Sequence, residues 1–230
     1  MKNITVISID LDDTLWPVAP VIRRAEKQVR RWLVKHFPKI DLSSEATHFA
    51  ALRQEVLRLH PDRGHDFAFQ RRVSFRMLME SGGYDAAMVD QVYEVFMQAR
   101  NEVSVYADVI PGLQRLGERY SLIAVTNGNA DLDHIGLAHY FDHQIRAADI
   151  GAAKPAAAIF DAAVAAAGVT AEQVLHIGDA PLEDVNGAQQ AGMTAVWMNR
   201  FGRKWPEEYP QAAAEISSLE DLYPLLLAAD

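Results

Sequence analysis

The sequence contains no cysteine among its 230 residues, which excludes disulfide bonds, thiolate metal ligands and a cysteine nucleophile. It has no run of about 18 or more apolar residues, so we expect no membrane-spanning segment. Basic residues are scarce: 22 lysines and arginines face 31 aspartates and glutamates, which leaves a formal net charge of −9. Nucleic-acid-binding proteins normally carry a basic face, so we expect no nucleic-acid partner.

The overall composition predicts a globular protein with a substantial core. Half of the residues are hydrophobic and 23% are charged. The first residues lead directly into a strand-like segment, whereas a secretory signal needs a longer apolar stretch and a small-residue cleavage site. Together with the lack of cysteine, this pattern predicts a cytoplasmic location.

Four short, nearly continuous apolar runs predict strands that are buried on both faces, as in a parallel sheet. They lie at residues 6–9, 122–125, 174–177 and 195–198. Segments with helical periodicity follow them, at residues 112–119, 156–167 and 185–191. The alternation predicts an α/β fold with a doubly wound, Rossmann-like parallel sheet, in which the carboxyl ends of the strands meet at one edge.

One long stretch, residues 17–105, breaks this alternation because it shows helical patterns and no convincing strand. Apolar residues recur at helical spacing near both of its ends, and residues 44–59 and 67–79 predict two further helices. We therefore predict an inserted all-helical domain of four helices at residues 17–105, with residues 1–16 and 106–230 forming the α/β domain. The alternative is an ordinary helical region of a single domain.

Polar and charged side chains follow the predicted strands, where ligands bind in open α/β sheets. The set consists of Asp10, Asp12, Thr126, Asn127, Lys154, Asp179 and Asp184. Asp10 and Asp12 leave the strand on the same side, so a divalent cation or a shared proton must relieve their repulsion. Taken singly, each element has an ordinary explanation as an acidic turn, an Asn-Gly turn, a surface lysine or a helix cap. Their placement at strand ends that meet at one edge favours a shared site for phosphate and metal.

The order of these elements resembles the four motifs of the haloacid dehalogenase superfamily, in its phosphatase branch. They read DLDDT from Asp10, TNG from Thr126, KP from Lys154 and GDAPLED from Gly178. The helical insert resembles the cap domain of that family. The resemblance implies a phosphoric monoester hydrolase that uses Mg²⁺ and a small-molecule phosphate ester, and that forms an aspartyl-phosphate.

The resemblance also implies roles for the individual residues. Asp10 would be the nucleophile and Asp12 the general acid and base. The phosphate-binding residues would be Thr126, Asn127 and Lys154. The metal ligands would be Asp10, Asp12 through its main-chain carbonyl, Asp179 and Asp184, the last either directly or through a water molecule. One departure is Asp13, which stands where the superfamily often has glycine.

Longer segments around three of the motifs resemble the bacterial flavin mononucleotide phosphatases, which also act on the phosphorylated ribitylamino-uracil precursor of riboflavin. A haloacid dehalogenase or a phosphomutase on the same scaffold are the alternatives. A dehalogenase, however, has no need for an acid and base at Asp12. A phospho-receiver signalling domain uses a similar residue set, but it would fit in about half this length.

Three residues outside the motifs also enter the predictions. Trp16 follows the nucleophile loop and either stacks on a flavin ring or packs at a hinge. His176 lies inside an apolar strand, and we interpret it as a hydrogen-bonded core histidine rather than a ligand. Arg203 follows the last predicted strand, and it lies either at the rim of the site or in a charged surface loop, the interpretation that we prefer.

Overall fold

The structure is a computed structural model that describes residues 3–42 and 47–227. These residues form two compact units. The first comprises the chain up to Pro17, then Ser104–Gly128, and then the chain from Leu132 onward. The second comprises Val18–Val103 together with Asn129–Asp131. The predicted domain limits, at residues 16–17 and 105–106, stay a prediction.

The first unit contains a parallel sheet of six strands among the described residues. They are β1 (Val6–Ile9), β2 (Ser121–Thr126), β3 (His143–Arg146), β4 (Val174–Gly178), β5 (Thr194–Met198) and β6 (Ala214–Ile216). Their order across the sheet is β3-β2-β1-β4-β5-β6, and each neighbouring pair is parallel. The chain therefore builds outward from β1 in both directions, which confirms the predicted doubly wound α/β fold.

The central position of β1 explains its apolar sequence. The strand lies between β2 and β4, and all four of its residues are buried. Its last residue, Ile9, is opposite Ala124 of β2 and Ile177 of β4. The residues that follow these strands therefore share one edge of the sheet, as expected from the strand-end pattern.

The helices of the first unit connect and cover these strands. The second unit precedes most of them in the chain, and its four α-helices in the described residues are α1 (Val18–His36), α2 (Thr47–Leu59), α3 (Phe67–Ser81) and α4 (Val89–Asn101). The helices of the first unit are α5 (Val109–Gly117), α6 (Leu132–Ile135), α7 (Ala147–Ile150), α8 (Ala157–Ala167), α9 (Gly187–Gln190) and α10 (Leu222–Leu227). A π-helical turn at Pro181–Asn186 precedes α9, where the sequence predicted one helix at residues 185–191.

The second unit has its own apolar core, so the predicted inserted helical region is confirmed. In α1 the buried residues are Val21, Ala25, Val29 and Leu33, a spacing of four that places one apolar stripe on one face. This stripe joins a cluster that includes Phe75 and Phe96 from α3 and α4. Of the helix predicted at residues 44–59, residues 44–46 lie outside the described residues.

Two strands, β3 and β6, were not predicted, because neither shows a buried apolar run. Strand β3 reads His-Gln-Ile-Arg and is only partly buried, and β6 has three residues; both lie at the edges of the sheet. Among residues 3–42 and 47–227, no helix combines the length and apolar character needed to cross a bilayer.

Candidate active site

Asp10 is the first residue after β1, and the sheet fixes its position. Its main-chain N–H donates to the carbonyl oxygen of Ile177 in β4 at 2.9 Å. The side chain is 6% exposed, and a carboxylate so deeply buried is costly unless it is paired. Its partner is Lys154, whose Nζ donates to Asp10 Oδ1 at 2.5 Å.

Lys154 lies between two carboxylates and the end of β2. Its Nζ also donates to Asp184 Oδ1 at 2.6 Å and to the carbonyl oxygen of Val125 at 3.0 Å. A lysine ammonium has three N–H donors, and these three bonds use all of them. A phosphate contact for Lys154 stays a prediction, and it would require one of the three bonds to be given up.

Asp184 is held in place by the π-helical turn that follows β4. Asp184 is 1% exposed, and its Oδ2 accepts a bond from the main-chain N–H of Ala180 at 2.9 Å. The carboxylate thus caps the start of the turn, as one sequence interpretation of Asp184 proposed, and it also contacts Lys154. Gly178 is needed beside it, since a Cβ at Gly178 would lie 2.1 Å from Asp184 Cγ. The reason for glycine is this close approach, because Gly178 has no positive φ.

Asp179 is the third carboxylate of the cluster. Its Oδ2 accepts a bond from Arg203 Nη2 at 2.9 Å, and its main-chain carbonyl accepts bonds from Arg203 Nη2 and Trp197 Nε1. Burial, followed by the charge of Asp184, raises the pKa of Asp179 to about 6. Arg203 therefore contacts the cluster directly, which agrees with the alternative that it lies at the rim of the site.

Asp12 lies in the loop after Asp10, where Trp16 orients its side chain. Asp12 Oδ1 accepts a bond from Trp16 Nε1 at 2.8 Å, and Trp16 is fully buried. Of the two alternatives for Trp16, the structure favours packing, because the indole is enclosed and orients Asp12. Asp13 has φ 61°, a left-handed conformation in which aspartate is better tolerated than most residues. Glycine, which the resemblance expects at this position, would adopt the same conformation without strain.

Thr126 is the last residue of β2 and Asn127 follows it, and both contact neighbouring main chain. Thr126 is 1% exposed, and its Oγ1 accepts a bond from Gly128 N at 2.9 Å, a bond that does not use the hydroxyl hydrogen. Asn127 Oδ1 accepts from Lys154 N at 2.7 Å, and Asn127 Nδ2 donates to Lys154 O at 3.1 Å. Asn127 therefore fixes the main chain of Lys154, and its predicted phosphate contact stays a prediction.

The charges of this cluster shift the pKa values of its members. Burial raises the pKa of Asp10 well above its ordinary value, and the Lys154 charge acts against this rise. Burial also acts to raise the pKa of Asp184, but Lys154 and a hydrogen bond to His176 outweigh it and hold that pKa well below its usual range. Burial acts to lower the pKa of Lys154, yet its two carboxylate partners raise it overall. Lys154 and Asp184 therefore form a charged pair, and Asp10 is the carboxylate that another cation would benefit most.

Three of the predicted metal ligands meet in space. Asp10, Asp179 and Asp184 each offer a carboxylate oxygen, and these oxygens lie within 4.8 Å of one another. An all-oxygen set of this kind fits a hard divalent cation such as Mg²⁺. The predicted contribution of the Asp12 main-chain carbonyl stays a prediction.

The sequence interpretation missed Ser8, and it understated His176. Both residues are fully buried, and Ser8 Oγ lies 2.9 Å from His176 Nδ1. The interpretation of His176 as a hydrogen-bonded core histidine is confirmed, but His176 Nε2 also lies 3.3 Å from Asp184 Oδ1. The available signal was a polar residue at the same offset in two otherwise apolar strands.

The sequence matches a known family of enzymes. The haloacid dehalogenase-like hydrolase family profile matches residues 4–192, a span that includes the whole cluster. The chain is a hydrolase of the haloacid dehalogenase-like family. The resemblance drawn from the four motifs is thereby confirmed.

Named relatives of this hydrolase include phosphatases and a protein titled a dehalogenase. The chain is 31% identical over 207 residues to the 5-amino-6-(5-phospho-D-ribitylamino)uracil phosphatase YigB of Escherichia coli, which covers 86% of the chain and 84% of that protein. It is 29% identical over 209 residues to the glyceraldehyde 3-phosphate phosphatase of Methanopyrus kandleri, with the same coverage of 86% and 84%. A crystal structure titled 2-haloacid dehalogenase, from Pseudomonas syringae pv. tomato, matches with a TM-score of 0.91 and 38% identity over 98% of both chains.

Proposed function

We propose that this hydrolase is a Mg²⁺-dependent phosphatase that cleaves a small-molecule phosphate monoester through an aspartyl-phosphate on Asp10. The observation that carries the proposal is the buried arrangement in which Lys154 contacts Asp10 and Asp184 while Asp179 lies beside them. Phosphoryl transfer depends mainly on positioning and on neutralising charge, which is what such an arrangement provides.

The proposed cofactor fits the residues that are present. Asp10, Asp179 and Asp184 would hold Mg²⁺, with the Asp12 main-chain carbonyl as a further ligand. The cation would offset the charge of the carboxylates and of the incoming phosphate. Without such a charge, an acidic protein with a formal net charge of −9 would repel its anionic substrate.

In the first proposed step, Asp10 attacks phosphorus. The bond between Lys154 Nζ and Asp10 Oδ1 favours the charged carboxylate and fixes its orientation. As the bond from Asp10 to phosphorus forms, the phosphorus–oxygen ester bond breaks, and the Asp12 carboxyl group gives its proton to the leaving oxygen. The Trp16 N–H donates to Asp12 Oδ1 at 2.8 Å and so orients this carboxyl group.

In the second proposed step, water releases the phosphate. The Asp12 carboxylate accepts a proton from water as the water oxygen attacks phosphorus. The bond between phosphorus and Asp10 breaks, which frees inorganic phosphate and regenerates the carboxylate. We assign the hydroxyl of Thr126 to a phosphate oxygen, because its hydrogen is not used in the bond to Gly128.

The closing test is a phosphate-release assay with Mg²⁺ over flavin mononucleotide, nucleotides and sugar phosphates. Asp10→Asn should abolish turnover, and so should chelation of the metal. The matched control is Asp161→Asn, which makes the same change on an exposed position of α8 and should leave the rate unaltered. Turnover that survives Asp10→Asn would contradict the nucleophile assignment.

For the substrate we propose flavin mononucleotide or a phosphorylated riboflavin precursor, in the cytoplasm. Support comes from the similarity to YigB along most of both chains. Sugar phosphates provide the contrast, since another relative is named a glyceraldehyde 3-phosphate phosphatase. A sugar phosphate that is preferred over flavin mononucleotide by about tenfold or more, which is about 1.4 kcal/mol, would overturn this substrate.

A dehalogenase is the second candidate, because a solved structure with that title is 38% identical to the chain. It would also use Asp10 as nucleophile, but it would not use the carboxyl group of Asp12 as an acid. Asp12→Asn therefore separates the two functions. The phosphatase proposal expects loss of phosphate release and no halide release from 2-haloacids, whereas a dehalogenase would release halide in both the parent and the variant.

A further inference from the structure

Two polar residues interrupt the most deeply buried strands of the sheet. Ser8 in β1 and His176 in β4 are both fully buried, and they are direct register partners. The other residues of β1 are apolar, as are those of β4 before its terminal glycine. Burying polar groups is costly unless they are hydrogen-bonded, so this pair needs a reason beyond packing.

The contacts of His176 define which ring nitrogen carries the proton. Its Nε2 lies 3.3 Å from Asp184 Oδ1, and an ionised carboxylate can only accept. Nε2 therefore carries a hydrogen. In the neutral ring with its hydrogen on Nε2, Nδ1 is an acceptor. The Ser8 hydroxyl then donates to Nδ1 at 2.9 Å.

The ring is also held by its apolar surroundings. Phe160 of α8 is fully buried and meets His176 edge to face, with ring centroids 5.2 Å apart. A ring fixed by Phe160 and Ser8 presents Nε2 to Asp184 in one orientation. Hydrogen bonds of this kind orient ligating side chains in many metal sites.

The Asp184 carboxylate is then held on both oxygens. Oδ1 accepts from Lys154 Nζ at 2.6 Å and faces His176 Nε2, while Oδ2 accepts from the Ala180 N–H at 2.9 Å. We propose that His176 is a positioning residue, whose Nε2–H fixes Asp184 so that one oxygen binds Lys154 and the other is presented to a divalent cation, with Ser8 selecting the tautomer. This inference rests on the proposed function, because it concerns the same cluster.

Two substitutions of His176 test the contacts of the two ring nitrogens separately. A glutamine amide reaches about as far as Nε2, so His176→Gln keeps a donor for Asp184 and loses the contact with Ser8. An asparagine amide reaches about as far as Nδ1, so His176→Asn keeps the contact with Ser8 and loses the donor for Asp184. Both variants are neutral and polar, so they place a similar cost on the core.

We expect His176→Asn to weaken Mg²⁺ binding, measured by titration calorimetry, by about tenfold. We expect kcat to fall by a similar factor while KM stays within about twofold, because the substrate contacts are unaltered. His176→Gln should stay within about threefold of the parent on both measures. Thermal midpoints of the two variants should be similar. Losses that are equal in both variants and follow the thermal midpoint would indicate a purely structural role and would overturn the proposal.

A measurement on the parent protein keeps the proposal testable if neither variant folds. Heteronuclear NMR of histidine-labelled protein should show one neutral histidine, protonated on Nε2, that does not exchange tautomers. Its signals are assigned as those lost or shifted in Ser8→Ala, which removes the hydrogen bond to Nδ1. A His176 ring protonated on Nδ1 would overturn the proposal.

The outcomes also separate this inference from the proposed function. If the parent releases no phosphate from any ester but binds Mg²⁺ and shows the Nε2–H tautomer, the proposed function fails and the positioning role stands. If the parent is an active phosphatase and His176→Asn matches His176→Gln, the positioning role fails and the proposed function stands.

Discussion

Two buried cations of the α/β unit, Arg200 and Lys154, have very different surroundings. The Arg200 side chain is 7% exposed and pairs with one carboxylate, Asp108, through two bonds of 3.0 Å. Its other bonds reach main-chain carbonyl oxygens of Thr14 and Ser217. The Lys154 side chain is 3% exposed and contacts two carboxylates, with a third whose oxygens lie within 4.8 Å of theirs.

The difference concerns charge balance. One cation with one bidentate carboxylate is a complete pair that needs nothing further, as expected of a structural contact. The Lys154 cluster holds more negative charge than its lysine can offset. Arg203 pairs with Asp179 but is largely exposed, so it compensates only in part. An incomplete charge balance in a buried place indicates a site that another cation completes.

Lys154→Met should produce the largest effect and tests whether this cation serves catalysis. We expect phosphate release with Mg²⁺ to fall by about 10²- to 10³-fold, because a charged donor at the reacting centre is lost. Steady-state kinetics measures the loss. Lys27→Met, which alters an exposed position of α1, is the matched control and should leave the rate unchanged. A loss below about threefold would contradict the role of Lys154.

Arg200→Met tests the other side of the comparison. Removing the guanidinium leaves Asp108 without its partner, so we expect the free energy of unfolding to fall by about 3–5 kcal/mol. Urea denaturation measures the change. Mg²⁺ should not restore the lost stability, whereas it should stabilise Lys154→Met by binding the carboxylates that remain. Restoration of Arg200→Met by Mg²⁺ would remove the distinction between the two cations.

Gly178→Ala sharpens the comparison by moving a carboxylate without changing any charge. Because the new Cβ would lie 2.1 Å from Asp184 Cγ, Asp184 must shift away from Lys154. We expect a loss of about 3 kcal/mol in the free energy of unfolding, together with weaker Mg²⁺ binding. Gly117→Ala is the control, since its Cβ would meet only Leu122 Cδ1 at 3.8 Å. Equal stability of the two variants would contradict the close approach.

The smallest predicted effect is on the pH dependence of stability in chelator-treated protein. The pKa of Asp179 is raised from 3.8 to about 6, so between these values the folded state binds a proton that the unfolded state has lost. Stability should therefore fall as pH rises through this window. Denaturation curves should show that Asp179→Asn removes the part of this fall that Asp179 causes. Adding Mg²⁺ to the parent protein should restore the lost stability. A flat profile in the chelated parent protein would contradict the excess of negative charge.

The sequence was informative where burial imposes a simple pattern. Strands β1, β2, β4 and β5 were predicted because they lie inside the sheet and carry continuous apolar runs. The edge strands β3 and β6 lack that constraint, so their sequences carry no comparable signal. The π-helical turn before α9 was also missed, since its residues follow no regular period.

The same distinction holds for the site. The positions of Asp10, Thr126 and Asp179 follow from the ends of predicted strands. The hydrogen bond between Ser8 and His176 joins residues 168 positions apart, and it depends on strand register, which the sequence does not display. Which acceptors Lys154 contacts likewise follows from tertiary structure. Sequence patterns therefore identified Asp10, Lys154, Asp179 and Asp184, which meet, and the structure identified which atoms they use.

The most direct test of the account is to look for the phosphoryl group on Asp10. Protein mixed with flavin mononucleotide and Mg²⁺ would be quenched in acid during turnover, digested and analysed by peptide mass spectrometry. We predict a phosphorylated peptide whose modification maps to Asp10 and which is absent from Asp10→Asn. Rapid phosphate release with no label on Asp10, or with the label on another residue, would contradict the proposed mechanism.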